Sequence, residues 1–348
     1  MLQRERGISR HIVRAPTYRG VSHVPSSAFV CCLLALSAAA CGAGVAEAPP
    51  TTVPALLRGA LTDYVPAAGL RWMIAGSPAQ LAREPALAPL RARWMTDERR
   101  QAFATNTGVD VFATERAVAA GFDLGTLYLA DASGWIAAPE RRFAERLAGT
   151  EQLRKPHPEL WRVSGVVGST PEALVRVGSE LVAVAEGDPA LARVVELRAL
   201  GRAGRIAPAF EGAALATLPS ELRAPHPVAA YVPGPLDPAA LGDSTGLLAG
   251  TLALCASLAP DNTVLHLELA LSGQWRPALD EPRLREAWQS FVSSAIGSRL
   301  GLDVAALSVD VHGSESLLTL RTDLDAGAFV AGVLGLLTGT VEDASEGP

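Results

Sequence analysis

The chain has 348 residues and a mass of 36.2 kDa, room for one large domain or two modest ones. It carries 30 basic and 36 acidic residues, a net charge of -6, so it lacks the basic surplus that neutralises phosphates and is not read as a nucleic-acid binder. Apolar residues make up 49% and charged residues 19%, enough to bury a sizeable core, while four cysteines are too few for a disulfide scaffold. All but one of the basic residues are Arg, the pattern of a GC-rich genome, and the one lysine, Lys155, lies in Arg-Lys-Pro-His-Pro, read as a loop. Schiff-base lysine chemistry is thereby nearly excluded.

In chain order, Arg4, Arg6, Arg10, Arg14 and Arg19 precede an apolar stretch from Ala28 to Ala40, which closes as Leu36-Ser37-Ala38-Ala39-Ala40-Cys41-Gly42. An apolar run of about 13 residues is a signal-peptide core and falls short of the roughly 20 that span a bilayer as a helix. The small residues before Cys41 resemble the lipobox of bacterial lipoproteins, with Ala38 standing where that pattern prefers Leu. The resemblance is to uncharacterised lipoproteins of GC-rich Gram-negative bacteria. It implies cleavage after Ala40, a lipid on Cys41, and, with Gly42 instead of Asp, an outer-membrane destination. The alternatives are an ordinary secretory signal cut near Ala40 or a short anchor. Removing residues 1–40 takes away five Arg and one Glu, leaving 25 basic and 35 acidic residues and a charge of -10. An acidic mature chain has no electrostatic grip on anionic lipid, so the acyl chains would be its hold on the membrane. Cys255 is then the one remaining thiol, and no disulfide within the mature chain is expected.

Residues 42–54 read as a tether. Beyond it, Leu70, Trp72 and Ile74 mark a strand, Ser77-Pro78 caps a helix that Pro85 and Pro89 interrupt, and a second helix spans Asp97 to about Thr105. Residues 116–122 and 126–131 form a hairpin, 140–148 a short helix, and 161–167, 173–177 and 181–185 three strands. Asp188-Pro189 opens a helix closed by Gly201, and 228–232 is a strand between prolines. Leucines then alternate with small or polar residues over 248–258 and 265–271, Asp280 caps a helix, strands follow over 307–312 and 318–321, and Asp325 opens a final helix to about Thr338. That last helix contains Gly332, Gly335 and Gly339, is too short to span a membrane, and reads as core. The fold expected is α+β: antiparallel sheets with helices packed on one side, arranged as two similar units. The division is 1–40 signal, 41–54 tether, 55–205 an N-terminal half and 206–348 a C-terminal half, with one continuous domain as the alternative.

Two constellations could carry chemistry. Gly242-Asp243-Ser244-Thr245-Gly246 matches the G-x-S-x-G nucleophile elbow, which needs a strand entering Ser244 and a helix leaving it; here prolines precede and a strand follows, so a plain turn is expected. By strand parity, Cys255, His266, Glu268, Asp310, His312 and Arg321 share one sheet face, which would gather His266, Glu268, Asp310 and His312 as candidate metal ligands or leave a solvated polar surface. Zincin, C-x-x-C, P-loop and dinucleotide-binding motifs are missing, His157 and His226 each sit in a Pro-His-Pro loop, and the tryptophans read as core, with Trp72, Trp161 and Trp288 on apolar faces. No cofactor is expected. The function expected is a lipid-anchored envelope protein, held to the membrane by Cys41, acting as a non-enzymatic binding or assembly module with an envelope protein as partner. The alternatives are a periplasmic hydrolase using Ser244, a metal-dependent enzyme on the His266/Asp310/His312 face, and a binder of a small apolar ligand between helices and sheet.

Overall fold

A computed structural model describes residues 54–210, 227–236, 245–302 and 309–345. Cys41, His226, Ser244 and the expected strand residues Leu307 and Ser308 lie outside these.

Twelve strands form one antiparallel sheet: β1 (Leu70–Gly76), β2 (Ala117–Phe122), β3 (Thr126–Asp131), β4 (Ala148–His157), β5 (Leu160–Val167), β6 (Thr170–Val177), β7 (Leu181–Glu186), β8 (Val228–Pro233), β9 (Ala253–Asp261), β10 (Val264–Ser272), β11 (Asp310–Gly313) and β12 (Leu317–Asp325). Their spatial order is β11-β12-β10-β9-β8-β1-β2-β3-β7-β6-β5-β4. The β1–β8 pairing carries the sheet without interruption from the first half of the sequence to the second. The described helices are α1 (Pro78–Arg83), α2 (Ala88–Trp94), α3 (Asp97–Thr107), α4 (Pro139–Ala144), α5 (Ala190–Ala199), α6 (Pro277–Val292), α7 (Ala295–Arg299) and α8 (Ala326–Ser345). The α+β class and the antiparallel sheet therefore hold.

Local sequence explains the ends of these elements. Ser77 accepts a hydrogen bond from the Gln80 backbone at 3.2 Å and Pro78 stands in the first turn of α1. Thr96 does the same for α3 through Arg99, and Gly108, at φ 75°, takes the left-handed conformation that ends it. In the sharp β9–β10 connection Asn262 adopts φ 54°, which its short polar side chain tolerates.

Each sheet face has its own cover. One face presents Met73, Ala120, Leu127, Val175 and Ala183, and is closed by α5 and a 3-10 turn at Leu61–Tyr64. Within that layer Glu196 of α5 is buried between the Arg162 and Arg193 guanidiniums, and burial lowers the pKa of Arg162. The opposite face is covered at one end by α4, over Val163, Leu174 and Val182, and at the other by α6 and α8, over Leu265, Leu271, Leu318 and Leu320.

Four expectations are corrected. The Arg-Lys-Pro-His run is part of β4, the outermost strand, where Pro156 is tolerated because an edge need not donate on both sides and the ladder is already irregular between Arg154 and His157. Trp72 and Ile74 do not face the main core: a register shift between Leu70 and Trp72 turns the strand over, so Met73 and Ala75 are buried while Trp72 is 39% and Ile74 44% exposed. The leucine run from 248 opens with a 3-10 turn, and β9 begins only at Ala253. Asp280 is not the cap residue; α6 starts at Pro277, and the Asp280 carboxylate reaches back to accept from the Arg276 backbone N–H at 2.7 Å.

Candidate functional site

The parity argument for the β9–β12 face holds residue by residue. Glu268 is paired with Arg321, Arg321 with Asp310, His266 with Asp323, His312 with Thr319, and Ala270 with Cys255. The polar groups, however, are satisfied in separate pairs. Arg321 Nε donates to Glu268 Oε2 at 2.7 Å, His266 Nδ1 lies 2.6 Å from Asp323 Oδ1, and His312 Nε2 lies 2.8 Å from Asp310 Oδ2. Among the described residues no group of three or more His, Cys, Asp or Glu is placed to hold a metal ion. Cys255 is buried in the main core beside Tyr231, whose phenol is pushed up to about 12 by burial, with Cys255 adding to it. Lys155 is exposed on β4, its Nζ 4.5 Å from the Trp161 ring, a surface cation–π contact.

The feature not located in the sequence lies on the opposite face, between the two helical covers. Strand pairing puts Ile74, Ala119, Tyr128, Val184 and Leu174 in one row across β1, β2, β3, β7 and β6. The next row places Gly76, Ala117, Ala130 and Val182 side by side. Gly and Ala at four of these nine positions sink the floor below the level of its neighbours. Above it stand α1 with Leu81, α3 with Phe103 and α4 with Phe143, leaving a cavity of about 630 Å³. Ile74, Phe103 and Tyr128 line it yet remain 41–44% exposed, so apolar surface that burial would stabilise is open to solvent.

The charged exceptions are local. Glu172 and Glu186 are cross-strand partners in the row after Leu174 and Val184, and both line the cavity together with Arg146. Arg146 Nη2 lies 3.7 Å from Glu172 Oε2, and its guanidinium carbon is 5.9 Å from the Phe143 ring centroid. Burial, with Glu186 as a further cause, holds the Glu172 carboxyl above its ordinary pKa despite the opposing effect of Arg146.

Fold and cavity together define an antiparallel α+β protein with a ligand-sized apolar chamber on one sheet face. No family model matches the chain. No curated protein sequence matches it either. Among solved structures, crystal form III of TP0453 is similar over 80% of this chain and 98% of its own, at 12% identity and a TM-score of 0.45. Crystal form I of TP0453 gives 11% identity and 0.44 over the same share of this chain.

Proposed function

We propose that this is a lipid-anchored envelope protein, attached through Cys41, that binds a small apolar molecule without transforming it. The cavity carries the binding half of the proposal. At about 630 Å³ it falls within the range of small-molecule sites, and at roughly 30 Å³ per water-sized group it accommodates on the order of twenty such groups. Its floor and walls are aliphatic and aromatic, with polar side chains confined to a few positions, the pattern that holds a ligand by burial and orients it by one end. The anchoring half rests on the small residues before Cys41 in the sequence.

The neutral dye N-phenyl-1-naphthylamine tests the binding reading. Saturable fluorescence enhancement at one site is expected, and Ala119→Trp, which fills the floor, should abolish it while leaving the unfolding transition in place. Absence of saturable binding, or binding untouched by Ala119→Trp, would overturn it. Mass spectrometry of protein extracted from membranes, beside a Cys41→Ala variant, tests the anchor: an acylated N-terminal Cys41 is expected, and an unmodified chain would refute it.

A further inference from the structure

We infer that the ligand of this cavity carries a hydrogen-bond-donating head, an amine or a hydroxyl, and not a carboxylate or phosphate. The inference rests on reading the cavity as a binding site and adds the chemistry of the ligand's polar end.

The argument is one of charge and satisfaction. The cavity's charged side chains are Glu172, Glu186 and Arg146, two carboxylates against one guanidinium. Glu172 is only 8% exposed, lines the chamber, and accepts no side-chain hydrogen bond among the described residues; its contact with Arg146, at 3.7 Å, lies beyond hydrogen-bond reach. A buried carboxylate in that state is costly, and its environment adds a like charge, since Glu186 is its direct cross-strand partner. Arg146 is partly occupied elsewhere, with its guanidinium against the Phe143 ring. Glu186 forms no ion pair among the described residues. An incoming anion would meet two carboxylates and a single guanidinium, which already lies within ion-pair distance of Glu172. An ammonium or hydroxyl would donate to the buried Glu172, with the exposed Glu186 carboxylate beside it favouring a positive head, while its apolar body covers Ile74, Tyr128 and Phe103.

Decylamine, decanol and decanoate share a chain and differ in the head, so their displacement of N-phenyl-1-naphthylamine below micelle-forming concentrations reads the head alone. Decylamine is expected to displace most tightly, decanol next, and decanoate at least about tenfold more weakly than decylamine, a difference of about 1.4 kcal/mol. In the double variant Glu172→Gln, Glu186→Gln the amine and the carboxylate should converge. Decanoate displacing the dye as well as decylamine, or an order that survives the double variant, would overturn the inference while leaving the cavity reading intact. Failure of the dye itself to bind would overturn both. Should the double variant not fold, the displacement order on the natural chain decides alone.

Discussion

Gly332 of α8 lies against the Arg299 carbonyl at the end of α7: a Cβ at Gly332 would come within 2.3 Å of that oxygen and 2.6 Å of the Leu300 Cα. These are backbone atoms that cannot swing aside, so the contact explains why a glycine stands inside an apolar helix. One turn on, Gly335 has nothing within 4 Å of the corresponding point. Gly332→Ala should therefore destabilise the fold by about 1–3 kcal/mol through overpacking. Gly335→Ala should instead stabilise it by about 0.5–1 kcal/mol, the ordinary helical preference of Ala over Gly. Urea unfolding midpoints of the two variants should move in opposite directions.

Asp280 gives a prediction about acid. Its carboxylate accepts from the Arg276 backbone at 2.7 Å and from Arg283 Nη1 at 2.8 Å, and the first of these, aided by the second, holds its pKa below the ordinary aspartate value. A group whose folded pKa is depressed contributes stability that is present above its unfolded pKa and lost as pH falls through the folded one. Thermal unfolding of the natural chain should thus lose stability below about pH 4, the ordinary aspartate range. An Asp280→Asn variant should be weaker at neutral pH by about 1–3 kcal/mol, with the difference narrowing in acid.

These contacts mark what could be read in the sequence and what could not. Alternation and cap residues located β5 through β8, β10, α1, α5 and α8 because those signals are local: Ser77, Asp188 and Asp325 each accept a backbone N–H from two or three residues further on. They failed where a neighbour decides. Nothing local in Leu70-Arg71-Trp72 announces a bulge, yet that bulge turns Ile74 from core residue into cavity floor. Pro156 reads as a strand breaker until β4 proves to be the sheet edge. The His266 and Arg321 face was legible by parity, but not that each member would already have a partner. The cavity belongs to no segment, since strands β1, β2, β3, β6 and β7 meet under helices far apart in the chain. The one available clue was Ala117, Ala119 and Ala130, small residues on one face beneath helical sequence.

Glu172 should reveal itself as a stability cost. Burial raises its pKa, Glu186 adds to this, and Arg146 only partly offsets it. A carboxyl with a raised folded pKa contributes its stability below the unfolded value, about 4.3 for Glu, and loses it as pH rises through the folded value. Glu172→Gln keeps the shape and removes the charge. The variant should therefore be more stable than the natural chain at pH 7, by about 1 kcal/mol or less, and equal to it near pH 4. Denaturation profiles at the two pH values check the sign; a destabilised Glu172→Gln at pH 7 would show that the Arg146 pair outweighs burial.

Phe103 and Phe143 both line the cavity, but they bear differently on the fold. Phe143 of α4 is 2% exposed and sits in the cluster with Val163, Leu174 and Val182. Phe103 is 41% exposed on α3, a helix with no buried residue of its own. Truncating a buried Phe costs about 3–5 kcal/mol, so Phe143→Ala should lower the unfolding midpoint severely. Phe103→Ala leaves no cavity in a packed core and should cost less than about 1 kcal/mol. If the chamber binds an apolar ligand, the same Phe103→Ala removes a wall, and dye affinity should fall severalfold while the unfolding curve barely shifts. Paired titration and unfolding measurements on this one variant separate a residue kept for binding from one kept for packing: a large stability loss with unchanged dye affinity would assign Phe103 to the fold alone.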